Sequence, residues 1–482
     1  MVVQHTDVTA QAGHTPSATQ KGTTMAEVHQ LAEFTSRANI DQLSPAALDQ
    51  LKIRVLDTLG VAIGALDGAP MVAVRGLLED LGGTPTATLI GGGKTSPERA
   101  AFYNSGLSRY LDFMDSYLAK GETNHPSDNL GAVLAAAEHG GATGAQLLTA
   151  LAVAYQVHTR LSDVAPVRAK GFDHTTQGAY AAAAGVAKAL DLPTEQTANA
   201  IAISGTANNA LRVTRTGSLS NWKGLAYPQV AKEGTFAALL AQRGITGPAE
   251  VFEGNKGFKD SIAGPFQIDW SAENLENVTR TIIKKYNAEI HSQSALEAAL
   301  DLRGQDGFRV EDIASIDLTT FDVAYSIIGG GEEGDKRTIR TKEEADHSLP
   351  WMLAATLLDG ELTPAQYAPE RVIATDVQAL MGKVTITPDE AFSERFPNEM
   401  PADLTITLTD GTTFRATHHA YEGFHTEPAG WDAVENKFTR LTSPFADADL
   451  RAEIIAIVRN LEHEQTATLT AALAQVSTTP TG

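Results

Sequence analysis

The segment GAQLLTALAVAYQVHTRL, residues 144–161, decides the class of fold. Its apolar residues recur every three or four positions, which is the period of an α-helix, and small alanines separate the larger side chains. The same pattern returns in LDQLKIRVLDTLGVAIGAL, NLGAVLAAAEHG and GAYAAAAGVAKALDL. Because small residues let helix backbones approach closely, we predict a large domain of packed helices.

A change of composition near residue 277 indicates a second domain. DIASIDLTTF, GKVTITPD and DLTITLTDGTTFRATHH alternate β-branched with other residues, and Asp410-Gly411 marks a hairpin turn between two strands. Helical segments such as SQSALEAALDLRG are interleaved with them, and the last segment is helical again. The predicted protein is therefore mainly α: a disordered tail (1–24), a large all-helical domain (25–275 and 426–475) and a smaller α+β lid domain (276–425).

Charge and cysteine content exclude several classes of function. The 482 residues include 37 Lys and Arg against 59 Asp and Glu, and the net charge of −22 disfavours nucleic acid and anionic membranes as partners. With no cysteine, disulfides, thiol nucleophiles and cysteine-held iron–sulfur clusters are excluded. The first residues lack a signal-peptide core and no apolar run reaches transmembrane length, so we predict a cytoplasmic protein.

One polar stretch, SYLAKGETNHPSDN, residues 116–129, separates two helical segments and shows neither a helical nor a strand pattern. Pro126 disfavours α-helix at the preceding histidine, and loops held by rigid helices commonly carry functional sites. For Asp128 the alternative is an N-cap of the following helix. Together with the YLDFMD before it, the stretch supplies the candidate site residues Asp112, Ser116, His125 and Asn129.

Three further polar clusters interrupt the helical sequence. They are RAKGFDHTTQGAY, RVTRTGSLSNWKG and KKYNAEIHSQSA, and the last lies where the composition changes. Each cluster alone could be structural, but together they place imidazoles and cations where clefts form between domains. That combination suits a polyanionic small molecule. The candidates from these clusters are His174, Arg215, Lys223, Lys285, His291 and Gln293.

Two other motifs do not support a cofactor or a metal. TLIGGGKTS resembles a phosphate-binding loop, but Thr88 stands where that pattern requires a glycine, so a glycine-rich turn is the better interpretation. His418, His419 and His425 fit no standard zinc spacing, which favours ordinary strand and loop histidines. Neither motif therefore predicts a metal or a cofactor.

Five blocks resemble the signature blocks of the MmgE/PrpD family, in the same order, across residues 27–440: LDFMDSYLAKGETNHPSDN, GFDHTT, GSLSNWKG, YNAEIHSQSALEAAL and EEADHSLPWMLAATLLDG. The HPSDN form followed by LGAVLAAAE is most similar to the branch that dehydrates 2-methylcitrate. The resemblance implies a helical domain with a lid, a homodimer and a metal-free site between the domains. It also implies dehydration of the tricarboxylate 2-methylcitrate to 2-methyl-aconitate in propionate catabolism, with citrate as a further candidate substrate.

Dehydration removes a weakly acidic proton beside a carboxylate and expels hydroxide, so it needs a base, an acid and cations that hold the carboxylates. Histidines can perform the proton transfers. We expect His125 and His174 to share the acid and base roles, in an order that remains open, and Asp112 to orient an imidazole. The resemblance implies catalytic residues Asp112, His125, His174, Lys223 and His291 and substrate-binding residues Ser116, Asn129, Arg215, Lys285 and Gln293.

Several alternatives stay open at this point. In ADHSLP, we expect His347 to pack inside the lid while Ser348 or Asp346 caps the next helix, so His347 is left out of the site. Trp351 stands where some relatives have Tyr, and it either alters specificity or only packs in the core. The functional alternatives are cis-aconitate decarboxylation, epimerisation beside a carboxylate, and non-catalytic polycarboxylate binding, which would need cations rather than imidazoles.

Overall fold

A computed structural model describes residues 25–480 of the chain, so the predicted tail lies outside the described residues. The protein is mainly α with a smaller α+β part, as the sequence predicts. Within the described part, none of the helices combines the length and the apolar character needed to cross a bilayer.

The first part of the chain forms a layered bundle around α6, whose start carries a capping box between Thr143 and Gln146. Helix α6 is buried on nearly all sides and packs against α7, and the alanine-rich α7 packs in turn against α9. Gly178 on α7 allows close contact with Tyr227 on α9, because a methyl group there would lie 2.5 Å from the ring. The elements are α1 (Glu27–Arg37), α2 (Pro45–Ile63), α3 (Ala69–Leu81), β1 (Ala87–Thr88), β2 (Lys94–Thr95), α4 (Pro97–Tyr110), β3 (Tyr117–Ala119), β4 (Glu122–Asn124), α5 (Leu130–Gly140), α6 (Gly144–Val164), α7 (Thr175–Ala189), α8 (Thr194–Ala207) and α9 (Trp222–Gln242).

The second part combines a four-stranded sheet with short helices. The strand order is β6-β5-β7-β8, with β5 and β6 parallel and the other pairs antiparallel. The predicted hairpin turn is confirmed between β7 and β8, where Gly411 adopts a φ of 89°. The elements are α10 (Gln293–Arg303), β5 (Ile313–Thr320), α11 (Asp322–Ala324), α12 (Lys342–Ala345), α13 (Leu349–Asp359), α14 (Pro369–Val372), α15 (Thr375–Met381), β6 (Val384–Pro388), α16 (Glu390–Arg395), β7 (Ala402–Leu408) and β8 (Thr413–His418).

The chain then returns to the helical bundle, where the first of three final helices packs on α2. Gly60 on α2 makes this contact possible, since a methyl group there would lie 3.1 Å from the Cα of Phe438. The final helices are α17 (Trp431–Thr442), α18 (Ala448–Arg459) and α19 (Thr466–Leu473).

The buried side chains form two large hydrophobic cores. One contains residues from Val28 to Ile283 and again from Ala429 to Val476, and the other contains residues from Tyr286 to Leu408. On this basis we propose a helical domain and a lid domain that meet near residues 284 and 425.

The polar stretch at residues 116–129 has more regular structure than its sequence indicates. Strands β3 and β4 form a short antiparallel hairpin, followed by a 3₁₀ turn over Pro126–Asn129. A backbone bridge from Ser116 to Ile282 ties the hairpin to the segment that leads into the lid. The hairpin therefore lies where the two cores meet.

Candidate active site

A small polar cavity lies at the junction of the two cores. The helical side contributes the end of α4, the β3–β4 hairpin and the turns before α7 and α9, and the lid side contributes the segment before α10 and two loops. The residues that line it are Arg109, Asp112, Glu122, Thr123, His125, Arg168, His174, Arg212, Arg215, Lys284, Glu289, His291, Ile327 and His347.

His125 presents an unprotonated nitrogen to this cavity. Its Nδ1 donates a hydrogen bond to the backbone oxygen of Asp115 at 2.8 Å and lies 3.0 Å from the Ser116 Oγ. Because Nδ1 carries the proton, Nε2 carries the lone pair. Burial, followed by the charges of Arg109 and Lys284, holds the pKa of His125 well below its usual value. The imidazole is therefore neutral near pH 7 and can accept a proton.

His174 lies beside His125, with 5.5 Å between the two ring centroids. Its Nδ1 is 3.1 Å from the Asp173 Oδ1, and Asp173 in turn accepts a 2.8 Å hydrogen bond from Arg215 Nε. Burial lowers the pKa of His174 to about 4, although the Asp173 carboxylate acts in the opposite direction. The His174 Nε2 is buried and has no hydrogen-bond partner among the described residues, so it is available to a ligand.

His291 repeats this arrangement from the lid side. Its Nδ1 lies 2.8 Å from the Glu289 Oε1, and its Nε2 is buried with no partner in the described part of the chain. Burial would raise the pKa of Glu289, but the charge and hydrogen bond of His291, together with His347 and Lys284, lower that pKa to about 2. Three imidazoles thus line one cavity with Nδ1 held, and in His174 and His291 the Nε2 is buried without a partner among the described residues.

Asp112 lies between cations rather than against an imidazole. Its Oδ1 accepts a 2.8 Å hydrogen bond from Lys284 Nζ, and its Oδ2 is 3.2 Å from Lys223 Nζ. Burial alone would raise the pKa of Asp112, but Lys284, Arg109 and Lys223 hold it well below its usual value. The nearest imidazole contact is 3.9 Å, to His347 Nδ1. Asp112 therefore positions ammonium groups, and the imidazoles are oriented by other acceptors.

One cluster near the cavity has the spacing of a metal site. Asp112, Asp346 and His347 bring ligand atoms within 4.8 Å of one another. The ammonium of Lys223 lies among them, 2.6 Å from Asp346 Oδ1 and 3.0 Å from His347 Nδ1. Because a resident cation already balances these groups, we assign the cluster to Lys223 rather than to a metal ion.

The charge around the cavity favours an anion. Of the described residues that line it, five are cationic and three carry carboxylates. All three carboxylates already have partners: Asp112 pairs with Lys284, Glu122 accepts backbone hydrogen bonds from Val167 and Arg168, and Glu289 contacts His291 Nδ1. The site thus concentrates positive charge within a chain of net charge −22.

The structure brings together some of the sequence candidates and not others. The candidates that line the cavity are Asp112, His125, His174, Arg215 and His291. Two further candidates do not line it but contact residues that do. Ser116 contacts the His125 ring, and Lys223 contacts Asp112.

Three predicted substrate-binding residues have other partners. Lys285 Nζ pairs with Glu297 at 2.8 Å, and the adjacent Lys284 faces the cavity instead. The Gln293 Oε1 accepts hydrogen bonds from the backbone N–H groups of residues 285 and 286. The Asn129 side chain binds the Tyr227 hydroxyl and the backbone oxygen of Pro126. These contacts shape the walls of the site without lining it.

The structure shows the surroundings of His347, Ser348 and Trp351 in the ADHSLPW segment. His347 lines the cavity, although it is not among the catalytic candidates chosen from the sequence. The expected cap is confirmed, since Ser348 Oγ accepts from the backbone N–H of Trp351 at 3.2 Å. Trp351 itself is fully buried and donates to the backbone oxygen of Val372, so it is a core residue.

The N-cap interpretation of Asp128 was wrong. Helix α5 begins without a side-chain cap, and both carboxylate oxygens of Asp128 are buried without a hydrogen-bond partner among the described residues. Burial raises the pKa of this carboxyl to about 7.

Three residues that line the cavity are not among the candidates chosen from the sequence: Arg109, Arg168 and Glu289. Arg109 ends helix α4, and Arg168 lies in a turn between α6 and α7. Arg168 opens the polar cluster RAKGFDHTTQGAY, whereas Arg109 lies outside the polar clusters. For Arg109 the available signal was its helical spacing, three residues before Asp112, which predicts neighbouring side chains at the helix end.

The chain is similar to known proteins over most of its length. Residues 29–271 match the MmgE/PrpD N-terminal domain and residues 286–463 match the MmgE/PrpD C-terminal domain. A 2-methylcitrate dehydratase of Cupriavidus necator is 29% identical over 79% of this chain and 82% of its own, and one of Escherichia coli is 30% identical over 78% and 81%. A fungal alkylcitrate dehydratase is 30% identical over 81% and 82%. With both domains matched in order, the chain belongs to the MmgE/PrpD family.

Proposed function

We propose that the protein dehydrates 2-methylcitrate to 2-methyl-aconitate and water without a metal ion. The observation that carries the proposal is the pair His125 and His174, whose rings lie 5.5 Å apart in a cavity lined by cations. The relatives named as 2-methylcitrate dehydratases support this substrate.

The surroundings of the two imidazoles support different roles. His125 donates to a neutral backbone oxygen, and burial together with the charges of Arg109 and Lys284 keeps it neutral, so it is the base. His174 contacts the Asp173 carboxylate, which favours the imidazolium form. Burial holds the pKa of the unliganded His174 at about 4, but a bound polyanion raises it, so His174 gains its proton together with the substrate and is the acid.

The reaction then balances within the cavity. The His125 Nε2 takes the proton from the carbon beside a carboxylate, and that electron pair forms the double bond. The carbon–oxygen bond breaks, and the hydroxyl leaves as water with the proton of His174. The cations around the cavity bind the carboxylates and stabilise the negative charge that develops on the one beside the reacting carbon.

The test is ultraviolet absorbance of the conjugated product, with the purified protein given 2-methylcitrate, citrate or cis-aconitate separately and the products identified. We expect the signal to rise with 2-methylcitrate and to persist in the presence of EDTA. His125→Ala should lower kcat by about 100-fold or more, the usual contribution of a positioned general base. His139→Ala is the matched control, because this exposed histidine lies outside the cavity.

Two results would contradict the proposal. Release of carbon dioxide from cis-aconitate, with no signal from 2-methylcitrate, would assign the decarboxylation chemistry instead. Binding of tricarboxylates without turnover at any pH would leave a binding protein.

A further inference from the structure

The cavity wall contains a single hydrocarbon side chain among the described residues that line it, and that side chain is Ile327. The other lining residues carry charged, imidazole or hydroxyl groups. Ile327 lies in a π-helical turn, Tyr325–Gly329, on the lid side of the junction.

The position of Ile327 is set by the lid core. Its side chain is 5% exposed and belongs to the same hydrophobic core as Ile328, which is fully buried and does not line the cavity. A side chain packed in a core keeps its rotamer and presents the same face to the cavity. Ile327 therefore offers a fixed apolar wall rather than a mobile one.

The role inferred for Ile327 rests on the proposed function. Citrate and 2-methylcitrate share three carboxylates and a hydroxyl group, and they differ by one methyl group. Arginines, lysines and histidines bind the shared groups and do not distinguish the two acids. A preference for the methylated acid requires an apolar surface that the methyl group can cover.

We propose that Ile327 is this surface and sets the preference of the enzyme for 2-methylcitrate over citrate. The methyl group packs against the isoleucine, while citrate leaves the same wall facing water. A well-fitted apolar pocket discriminates one carbon by about 10-fold or more in kcat/KM. Removing side-chain atoms at this position also makes room for a longer alkyl substituent.

The experiment measures kcat/KM for citrate, 2-methylcitrate and 2-ethylcitrate in the wild type and three variants. The wild type should prefer 2-methylcitrate over citrate by about 10-fold or more. Ile327→Ala should bring these two substrates within about 3-fold of each other and raise the relative rate with 2-ethylcitrate by about 10-fold. Ile327→Val should shift both ratios in the same direction by less, and it keeps the test valid if the alanine variant does not fold.

Ile328→Ala is the matched control, because it removes the same atoms from the next residue of the same turn without changing the cavity wall. Its substrate ratios should equal those of the wild type. Unchanged ratios in both Ile327 variants, or a wild type that treats the two acids alike, would overturn the inference while the proposed dehydration stands. A wild type that dehydrates neither acid would overturn the proposed function and this inference with it.

Discussion

Replacing the buried carboxylate of Asp128 with an amide should stabilise the protein in a way that depends on pH. Asp128 lies in the turn before α5, is fully buried, and has no hydrogen-bond partner for either oxygen among the described residues. Burial raises its pKa to about 7, even though Arg109 and Arg215 act in the opposite direction. Asparagine keeps the shape of the side chain and cannot ionise.

The size of the effect follows from the two pKa values. In the unfolded chain an aspartate has a pKa of about 3.9, so between pH 4 and 7 the folded state binds more protons than the unfolded state. The stability of the wild type therefore falls as the pH rises through this range and levels off above the folded-state pKa. At about 1.4 kcal/mol per pH unit, ionisation of Asp128 lowers the free energy of unfolding by about 4 kcal/mol in all. Of this decrease, about 3 kcal/mol develops between pH 5 and pH 8.

The assay is urea unfolding followed by circular dichroism at pH 5 and pH 8 for the wild type and Asp128→Asn. The free energy of unfolding of the variant, relative to the wild type, should increase by about 3 kcal/mol from pH 5 to pH 8. Asp306→Asn is the control, since it makes the same change at an exposed position. An equal difference between Asp128→Asn and wild type at both pH values would refute the reasoning.

Three further predictions test the site and the fold. In steady-state kinetics, Lys284→Met should lower kcat/KM at least 10-fold, because it removes a cavity cation and the partner of the Asp112 carboxylate. Lys285→Met should change kcat/KM less than 3-fold, because Lys285 pairs with Glu297 instead. His174 has a folded-state pKa of about 4 against about 6.5 unfolded, so it contributes stability that is present above pH 6.5 and lost as the pH falls towards 4. The free energy of unfolding, measured by denaturant titration, should therefore fall between pH 7 and pH 4 by about 3 kcal/mol less in His174→Gln than in the wild type. Gly411→Ala should lower the free energy of unfolding by about 1 kcal/mol in thermal melts, because its φ of 89° strains any residue with a Cβ; an unchanged melting temperature would contradict this.

The sequence by itself determined the features that depend on neighbouring residues. The helical period of α6 and α7, the strand alternation of β5 and β7, and the Asp410-Gly411 turn are local patterns, and each is present in the structure. The polar segments that interrupt the helices also identified His125, His174 and His291 as residues of one cavity.

Only the tertiary structure decided which side chain of each segment faces the cavity. Lys284 rather than Lys285 does so because the bridge from Ser116 to Ile282 sets the direction of that strand-like segment, and Asp112 then pairs with Lys284 across a long stretch of chain. His347 joins the cavity through contacts of the lid with the helical domain, which no local pattern contains. Side-chain direction and charge pairing depend on residues distant in sequence, and for that reason packing rather than periodicity determines the site.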